Sequence, residues 1–363
     1  MLIFLKSCKL YTEGTNMDYL SVKDIATKIG LDESSVRRKI HANEIPALKK
    51  SKSFFTTEKA LEYFSFIEEQ KKALLKLQRE PITISVVNHK GGCSKTTTAY
   101  TLAGTLVSLG NKVLVIDTDP QGNCSQTSLE ANVSEDGIIL PFENTIKDIL
   151  LEKKRNGKLS QNIIDKSIRP SLFGYDIIPC DLTLNAILQE IETSSFKEVL
   201  LKESIKEFEN NYDYIVIDTP PNLGFSMIAP LTASDYVILV TTPDPYSIIG
   251  IEQTIDVINS VKRQNSVLSN PKKTEILGIV ISRVKGSTKV AKHFIETLTE
   301  FANSLKVRVF EEVIAENIKI PETQALQKMI TEYDPLSLTS LAYFNITLTV
   351  DEVVKKARLK AKL

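Results

Sequence analysis

From residue 82 onward, short apolar runs rich in β-branched residues alternate with stretches of helical pattern. The runs are nearly continuous in apolar character, which is typical of strands covered on both faces. They are ITISVVN (82–88), KVLVID (112–117), YDIIP (175–179), YDYIVIDT (212–219), YVILVTT (236–242) and EILGIVIS (275–282). The helical stretches predicted between them are 95–109, closed by Gly110, 181–207, 247–263 and 288–305. This alternation predicts an α/β fold with a mostly parallel sheet flanked by helices.

The composition narrows the class of protein. With 42% hydrophobic and 25% charged residues, the 363-residue chain has an average globular composition and is long enough for two domains. Its four cysteines lack CxxC spacing and follow no secretory signal, so we expect reduced thiols and a cytoplasmic location. No run approaches the roughly 20 apolar residues that span a bilayer. Met17 could be the true initiator, leaving residues 1–16 as a leader.

A glycine-rich turn follows the first of these strands, in NHKGGCSKTTTA (88–99). Its two glycines permit a backbone that wraps an anion, and the helix after it directs its positive end at the same point. Lys95 is expected to neutralise β- and γ-phosphate oxygens, and Thr96 to offer its hydroxyl to Mg²⁺. The usual pattern GxxxxGK[ST] is not met, because Ser94 replaces its second glycine. The predicted nucleotide-binding residues are Lys90, Gly91, Gly92, Cys93, Ser94, Lys95, Thr96 and Thr97.

The departure from the usual pattern is itself informative. KGGxxK[ST] resembles the deviant Walker A loop of the ParA/MinD family of P-loop ATPases, and the resemblance covers about residues 82–345. It implies a P-loop NTPase fold, ATP and Mg²⁺ as cofactors, and hydrolysis of ATP to ADP and phosphate at a low basal rate. It also implies that Lys95 serves the chain's own nucleotide, whereas Lys90 reaches phosphates held by the second subunit of a homodimer that sandwiches two ATP molecules.

Two aspartates at strand ends extend the resemblance. VLVIDTDPQGN (113–123) is similar to the family's second motif, which implies that Asp119 orients the attacking water. YDYIVIDTPPNLG (212–224) is similar to its Walker B segment, where Asp218 would hold Mg²⁺ through water, beside Thr96. An aspartate that ends an apolar strand can also be only a turn cap. The order strand, loop, strand–Asp, strand–Asp favours the functional interpretation, with Lys90, Lys95 and Asp119 as the catalytic residues.

A late segment, EVIAENIKIPETQALQKMITEYDP (312–335), resembles the part of ParA proteins near the nucleotide base and the DNA-binding face. The resemblance implies sequence-independent DNA contacts at Lys285, Lys289, Lys292 and Lys319, and it places Arg283 near the base. The lysines of GSTKVAK (286–292) are the weaker candidates, because that stretch departs from the family's arginine-bearing wording. Contacts of this kind weaken steeply with salt.

The first 80 residues differ in texture and carry 15 Lys and Arg against 11 Asp and Glu. Their helical pattern predicts two short helices around a sharp turn at Gly30, followed by a basic wing in LKKSKSFF (48–55). The pattern resembles a winged helix-turn-helix. The first helix would bury Val22, Ile25, Ala26 and Ile29, and the second would bury Leu31, Val36 and Ile40. The residues expected to face DNA are Ser34, Ser35, Arg37, Arg38 and Lys39. The alternative is a small helical domain whose solvated face is basic.

The predicted domains are therefore a leader with a helix-turn-helix domain (1–56), a linker or dimerisation helix (57–80) and the ATPase domain (81–363). The apolar residues of the middle segment fit dimer contact and packing within the chain equally well; they are Leu61, Phe64, Ile67, Leu74, Leu75 and Leu77. In the basic tail, a helical face could be formed by Val353, Val354, Ala357 and Ala361. It lacks bulky residues for membrane insertion, so a solvated terminal helix is expected.

Taken together, the resemblance implies a ParA-type ATPase that partitions a plasmid or other replicon. Its implied partners are nucleoid DNA, operator or centromere DNA, and a ParB-like protein that stimulates hydrolysis, with no membrane. The expected location is cytoplasmic and nucleoid-associated. The alternatives are a MinD-like positioning ATPase at a membrane and a transcriptional regulator with a nucleotide-gated dimerisation domain.

Overall fold

The computed structural model describes residues 19–75, 81–131, 140–192, 197–222, 224–268, 271–286 and 289–361. The predicted leader, Met17 and Leu77 lie outside these residues. The strands are β1 (Tyr19–Ser21), β2 (Leu48–Lys50), β3 (Ser53–Thr57), β4 (Ile82–Val87), β5 (Val113–Asp117), β6 (Arg169–Pro170), β7 (Asp176–Ile178), β8 (Tyr214–Asp218), β9 (Tyr236–Thr241), β10 (Glu275–Val284) and β11 (Val309–Ala315).

The helices, numbered in chain order, include each of the predicted ones. They are α1 (Val22–Ile29), α2 (Glu33–His41), α3 (Glu58–Leu75), α4 (Lys95–Ser108), α5 (Asn123–Ser128), α6 (Ile146–Asn156), α7 (Gln161–Ser167), α8 (Asn185–Glu192), α9 (Lys197–Ile205), α10 (Phe225–Ala233), α11 (Pro245–Asn265), α12 (Lys289–Ser304), α13 (Lys319–Ala325), α14 (Ile330–Tyr333) and α15 (Leu338–Ala361). The helix predicted over 181–207 opens with a 3₁₀ turn at Leu182–Leu184, and its described parts are α8 and α9.

The main sheet has the order β11-β10-β9-β4-β8-β5-β7-β6 among the described residues. Neighbouring strands run parallel, except that the edge strand β6 pairs antiparallel with β7. Alternate residues of one strand enter opposite apolar layers: Ile84 and Val86 pack under α4 and α15, whereas Val87 packs under α10 and α11. Burial on both faces explains the continuous apolar runs of the sequence and confirms the predicted α/β fold.

The N-terminal residues form a small unit with its own core. Ser21 caps α1 and shares reciprocal hydrogen bonds with Asp24, Gly30 ends this helix in the left-handed conformation with φ of 69°, and Asp32 caps α2. Strands β2 and β3 form a hairpin, and β1 joins β3 to complete a three-stranded antiparallel sheet. Two helices and a hairpin thus occupy the predicted positions; that this unit reads DNA stays a prediction.

The first half of helix α3 packs within the chain. Leu61 and Phe64 lie in the core of the N-terminal unit, and Ile67 packs against the C-terminal helix α15. Beneath this contact Asp351 is fully buried and accepts hydrogen bonds from Tyr63, Tyr214 and Lys355. Packing within the chain therefore accounts for these apolar residues.

The tail is not the solvated helix that its composition suggested. It is the end of the 24-residue helix α15, which crosses the sheet beside α4 and β11. Val354 is fully buried and Val353 packs against the same core, whereas Ala357 is half-buried and Ala361 is exposed. The first half of this apolar face is therefore covered by protein. Among the described residues no helix combines the length and the apolar character needed to cross a membrane.

Candidate nucleotide site

The glycine-rich loop joins the central strand β4 to α4, at the carboxyl edge of the parallel strands, where α/β folds bind their ligands. Gly92 and Ser94 both adopt left-handed backbone conformations, with φ of 71° and 70°. Two neighbouring strands hold the loop in place. Asn88 donates to the Val240 carbonyl of β9 at 2.6 Å, and Ser282 of β10 donates to the Cys93 carbonyl at 2.8 Å. The turn is therefore strained and is held in place by neighbouring strands.

The loop forms one wall of an open cavity of about 1490 Å³. The cavity exceeds the range of about 300–1,000 Å³ typical of small-molecule pockets, so it has room for a nucleotide. The apolar part of its lining includes Leu129, Phe142, Leu182, Ile320 and Pro321. Of the predicted loop residues, the structure places at the cavity Gly91, Gly92, Ser94, Lys95, Thr96 and Thr97.

Two predicted loop residues have side chains that do not line this cavity. The Cys93 thiol is buried and donates to the Lys90 carbonyl at 3.3 Å, so burial raises the pKa of this thiol. The Lys90 side chain points to the far side of the loop, where its ammonium group forms an ion pair with Asp244 and donates to Thr242 at 3.2 Å.

Asp244 stays ionised because of this contact. Partial burial works to raise its pKa, but hydrogen bonds from Lys90, Ser247 and Thr242 outweigh burial and lower the pKa of Asp244 to about 2. The Lys90 side chain is 39% exposed. Lys95, in contrast, is 6% exposed and donates to the Lys90 carbonyl at 3.1 Å, within the curve of the loop. The two lysines of the loop therefore face different surroundings.

Asp218 ends β8 directly beside β4, in register with Val86 on one side and Asp117 on the other. It is fully buried, and neither carboxylate oxygen accepts a hydrogen bond from any residue that the structure describes. Burial raises the pKa of Asp218 well above its usual range, and the charge of Asp117 adds to the shift. A buried carboxylate with two free oxygens, at the strand end next to Thr96, is suited to a hard cation with oxygen ligands such as Mg²⁺.

Asp119 follows β5 and is held in place by its own loop. Its backbone N–H donates to Asp117 at 3.0 Å, and its carboxylate accepts from the Gln121 N–H at 3.0 Å. Asp117 is buried and also accepts two hydrogen bonds from Ser125, and burial raises the pKa of Asp117 to about 7 despite these bonds. Asp119 lines the same cavity as the glycine loop, so its carboxylate can orient a water there.

Several of these contacts were not predicted from the sequence. Asp117 and Asp244 were both missed. Asp117 could have been found, because it stands in the quoted motif and ends an apolar strand, two residues before Asp119. Arg283 was placed near the base by resemblance; its guanidinium donates to the Gly92 carbonyl at 2.9 Å and pairs with Glu316 at 3.1 Å. No sequence signal points to Asp244, because its partner Lys90 lies 154 residues away.

The predicted DNA-contacting lysines of the ATPase part lie at the surface but differ in exposure and in ion pairing. Lys289, the first residue of α12, is exposed, and the side chain of Lys285 is 77% exposed and lies 3.6 Å from Glu316. Lys292 is half-buried. Lys319 is 45% exposed and donates to Asp334 at 2.7 Å, which raises the pKa of Lys319.

On α2, the expected row of outward-facing residues is interrupted. Arg37 and Arg38 are exposed. Ser34 and Ser35 are engaged locally, since both hydroxyls donate to the capping residue Asp32. Lys39 was expected to face outward and does so only in part, because its ammonium pairs with Glu44 at 2.5 Å and lies 5.3 Å from the centre of the Phe64 ring.

Comparison with known proteins agrees with this site. The family model described as an AAA domain matches residues 82–271. A ParA family protein of Mycoplasma pneumoniae is 32% identical over 260 residues, which cover 71% of this chain and 89% of that protein. The fold and the site thus define a P-loop ATPase with ATP and Mg²⁺ as cofactors. The chain belongs to the ParA family.

Solved structures share the same architecture. A putative plasmid partition protein of Borrelia burgdorferi bound to AMPPNP is 28% identical, with a TM-score of 0.56 over 77% of this chain and 100% of that one. The septum site-determining protein MinD of Pyrococcus horikoshii, complexed with Mg-ADP, is 24% identical, with a TM-score of 0.55 over 76% and 98%. At that identity the likeness to MinD shows the fold alone.

Proposed function

We propose that this chain is a ParA-type ATPase that partitions a replicon by switching between a monomer and an ATP-bound sandwich dimer. The observation that carries the proposal is the position of Lys90. Its ammonium group belongs to the nucleotide loop in sequence but is held by Asp244, outside the chain's own cavity. Once released from Asp244, a cation outside the chain's own cavity could bind the phosphates of a second subunit, so bound nucleotide would govern dimerisation.

The chain's own residues divide the chemistry of hydrolysis. Asp218 and Thr96 would hold Mg²⁺, which would supply positive charge against the phosphate oxygens. Lys95 and the backbone of the glycine loop bind the phosphate oxygens, and Asp119 orients the water for in-line attack. The loop around Asp119 is fixed by Asp117, so the carboxylate is positioned before the nucleotide binds.

The solved Borrelia protein is named for plasmid partition, which supports a role in replicon segregation for this chain. We propose that the dimer binds nucleoid DNA without sequence preference through Lys289 and Lys319, and that a ParB-like partner stimulates hydrolysis. In this proposal residues 1–56 form a helix-turn-helix domain that binds operator DNA through Arg37 and Arg38, joined by the helical segment 57–80 to the ATPase domain 81–363. The burial of Val354 argues against tail insertion into a membrane.

Sedimentation of the protein with AMPPNP tests the role of Lys90. Lys90→Ala should stay monomeric at nucleotide concentrations that saturate it, while Lys95→Ala should lose nucleotide binding itself. A Lys90→Ala protein that still dimerises with AMPPNP would show that the in-trans role is wrong.

DNA binding is tested separately for the two proposed surfaces. The Lys289→Ala, Lys319→Ala double variant should lose AMPPNP-dependent binding to random duplex DNA and keep operator binding. The Arg37→Ala, Arg38→Ala variant should do the reverse, since its cations lie on the other unit. Equal loss of both activities in either variant would contradict the division of labour.

A further inference from the structure

Gln327 lies between α13 and α14, lines the nucleotide cavity and has a backbone conformation that glutamine rarely adopts. Its φ is 49°, in the left-handed region. A residue other than glycine is strained there by about 1 kcal/mol or more. Such strain persists only where the surroundings hold the residue in place, so its contacts identify what it does.

The side chain of Gln327 reaches across about 200 residues of sequence to the end of α5. Its amide nitrogen donates to the Gln126 carbonyl at 2.7 Å and also to the Leu129 carbonyl. Carbonyl groups in the last turn of a helix have no partner within the helix and must be satisfied from elsewhere. Gln327 therefore caps the carboxyl end of α5 from a distant segment.

The other end of α5 begins at the loop that carries Asp119. The Gly122 N–H donates to the Asp119 carbonyl at 2.8 Å, and the Gln126 N–H donates to the Gly122 carbonyl at 2.8 Å. Ser125, in the middle of this helix, is bound to Asp117. Helix α5 is thus a single short element held at its start by the catalytic loop and at its end by Gln327.

The segment that contains Gln327 also carries Lys319, which is proposed to bind nucleoid DNA. The surface around this residue is called the Lys319 surface. Lys319 opens α13 and pairs with Asp334, which follows α14. Between them Met329 is buried against α4, where a side-chain carbon at Gly104 would lie 2.1 Å from the Met329 sulfur. The segment is therefore packed on the helix that follows the phosphate loop and is hydrogen-bonded to the helix that follows Asp119.

We propose that Gln327 is a positioning residue that couples the Lys319 surface to the catalytic loop, so that DNA on α13 and ATP in the cavity each strengthen binding of the other. This inference rests on the proposed DNA binding. The two hydrogen bonds of Gln327 transmit a displacement of α13 to α5, and through α5 to Asp119. Because binding couplings are reciprocal, the effect can be measured as DNA affinity at fixed nucleotide.

Two variants separate this role from backbone strain. Gln327→Gly removes the two hydrogen bonds and relieves the left-handed strain, whereas Gln327→Ala removes the bonds and keeps the strain. Gln327→Gly should melt at or above the temperature of Gln327→Ala and should dimerise with AMPPNP as the wild type does. In both variants hydrogen exchange at residues 123–129 should accelerate, while exchange in α4 stays unchanged.

The coupling is read from binding to random duplex DNA. In the wild type the affinity should rise when ADP is replaced by AMPPNP, and in Gln327→Gly this ratio should fall by about fivefold or more. Unchanged hydrogen exchange in α5, or an unchanged affinity ratio, would overturn the inference. A wild-type protein that binds no DNA with either nucleotide would instead overturn the proposed DNA-binding function, and the coupling with it.

Discussion

The ammonium group of Lys90 forms an ion pair with the carboxylate of Asp244, the residue that immediately precedes α11. The same carboxylate accepts from Ser247 at 2.7 Å and from Thr242 at 2.7 Å, so Lys90 is held against the strand edge beside the nucleotide loop. If Lys90 acts on a second subunit, it must leave this site, and Asp244 then opposes dimerisation.

Asp244→Asn should therefore tighten the AMPPNP-dependent dimer. The pair is partly exposed, and such pairs contribute at most about 1 kcal/mol each. Two pairs break in every dimer, so the dimer dissociation constant should fall by about thirtyfold or less. Sedimentation equilibrium measures this constant. Asp256→Asn removes an exposed carboxylate from the same helix and should leave the constant unchanged. A weaker dimer in Asp244→Asn would mean that Asp244 belongs to the interface itself.

Ser94 occupies a left-handed position where the usual phosphate loop has glycine. Ser94→Gly should raise the free energy of unfolding of the nucleotide-free protein by up to about 1 kcal/mol, because it relieves strain. Gly92→Ala should instead lower the free energy of unfolding, since alanine at φ of 71° introduces strain. Urea denaturation measures both. Equal stability of the wild type and Ser94→Gly would show that Ser94 is not strained in the free protein.

The buried carboxylate of Asp117 predicts a dependence of stability on pH. Its pKa rises from 3.8 to about 7 on folding, so the folded protein binds an extra proton between these values. Stability of the nucleotide-free and Mg²⁺-free protein should therefore fall as the pH rises from about 4 to about 7 and level off above that. Asp117→Asn should be less stable overall. Its stability should lack the part of the decline between about pH 4 and pH 7 that is due to ionisation of Asp117. Urea denaturation from pH 5 to pH 8 tests this, and parallel curves for the two proteins would contradict it.

Asp351 joins the N-terminal unit to the main sheet. It accepts from Tyr214 at 2.6 Å and from Lys355 at 2.6 Å while fully buried. Asp351→Asn should lower the free energy of unfolding by about 3 kcal/mol, because it leaves the ammonium of Lys355 without its counter-ion in a poorly solvated site. Trypsin should also cut α3 sooner, as that helix loosens from α15.

Glu68→Gln provides a matched control for Asp351→Asn. Glu68 lies on α3 and forms a more exposed pair with Lys71 at 3.3 Å, so its loss should cost less than about 1 kcal/mol. If Asp351→Asn were no less stable than Glu68→Gln, the buried cluster would not hold the two parts together.

The strands and the phosphate loop could be predicted because their signals are local. All six predicted strands exist, since an apolar run covered on both faces has a pattern that tolerates few alternatives. Strand β11 and helices α6 and α7 were not among the predicted elements. Val309–Ala315 places two glutamates in the middle of a strand, which breaks the apolar pattern, and it is a strand because it pairs with β10.

The chain sequence by itself determined the fold class, the nucleotide loop and the two aspartates at strand ends, because each depends on residues close together in the chain. Only the tertiary structure decided that Lys90 rests on Asp244, that Gln327 binds the end of α5, and that the tail packs on the sheet. Those contacts join residues from 154 to about 200 positions apart, or depend on which surface remains open after the helices pack. Neither periodicity nor spacing carries that information, since it arises only when the parallel strands bring their ends to one edge.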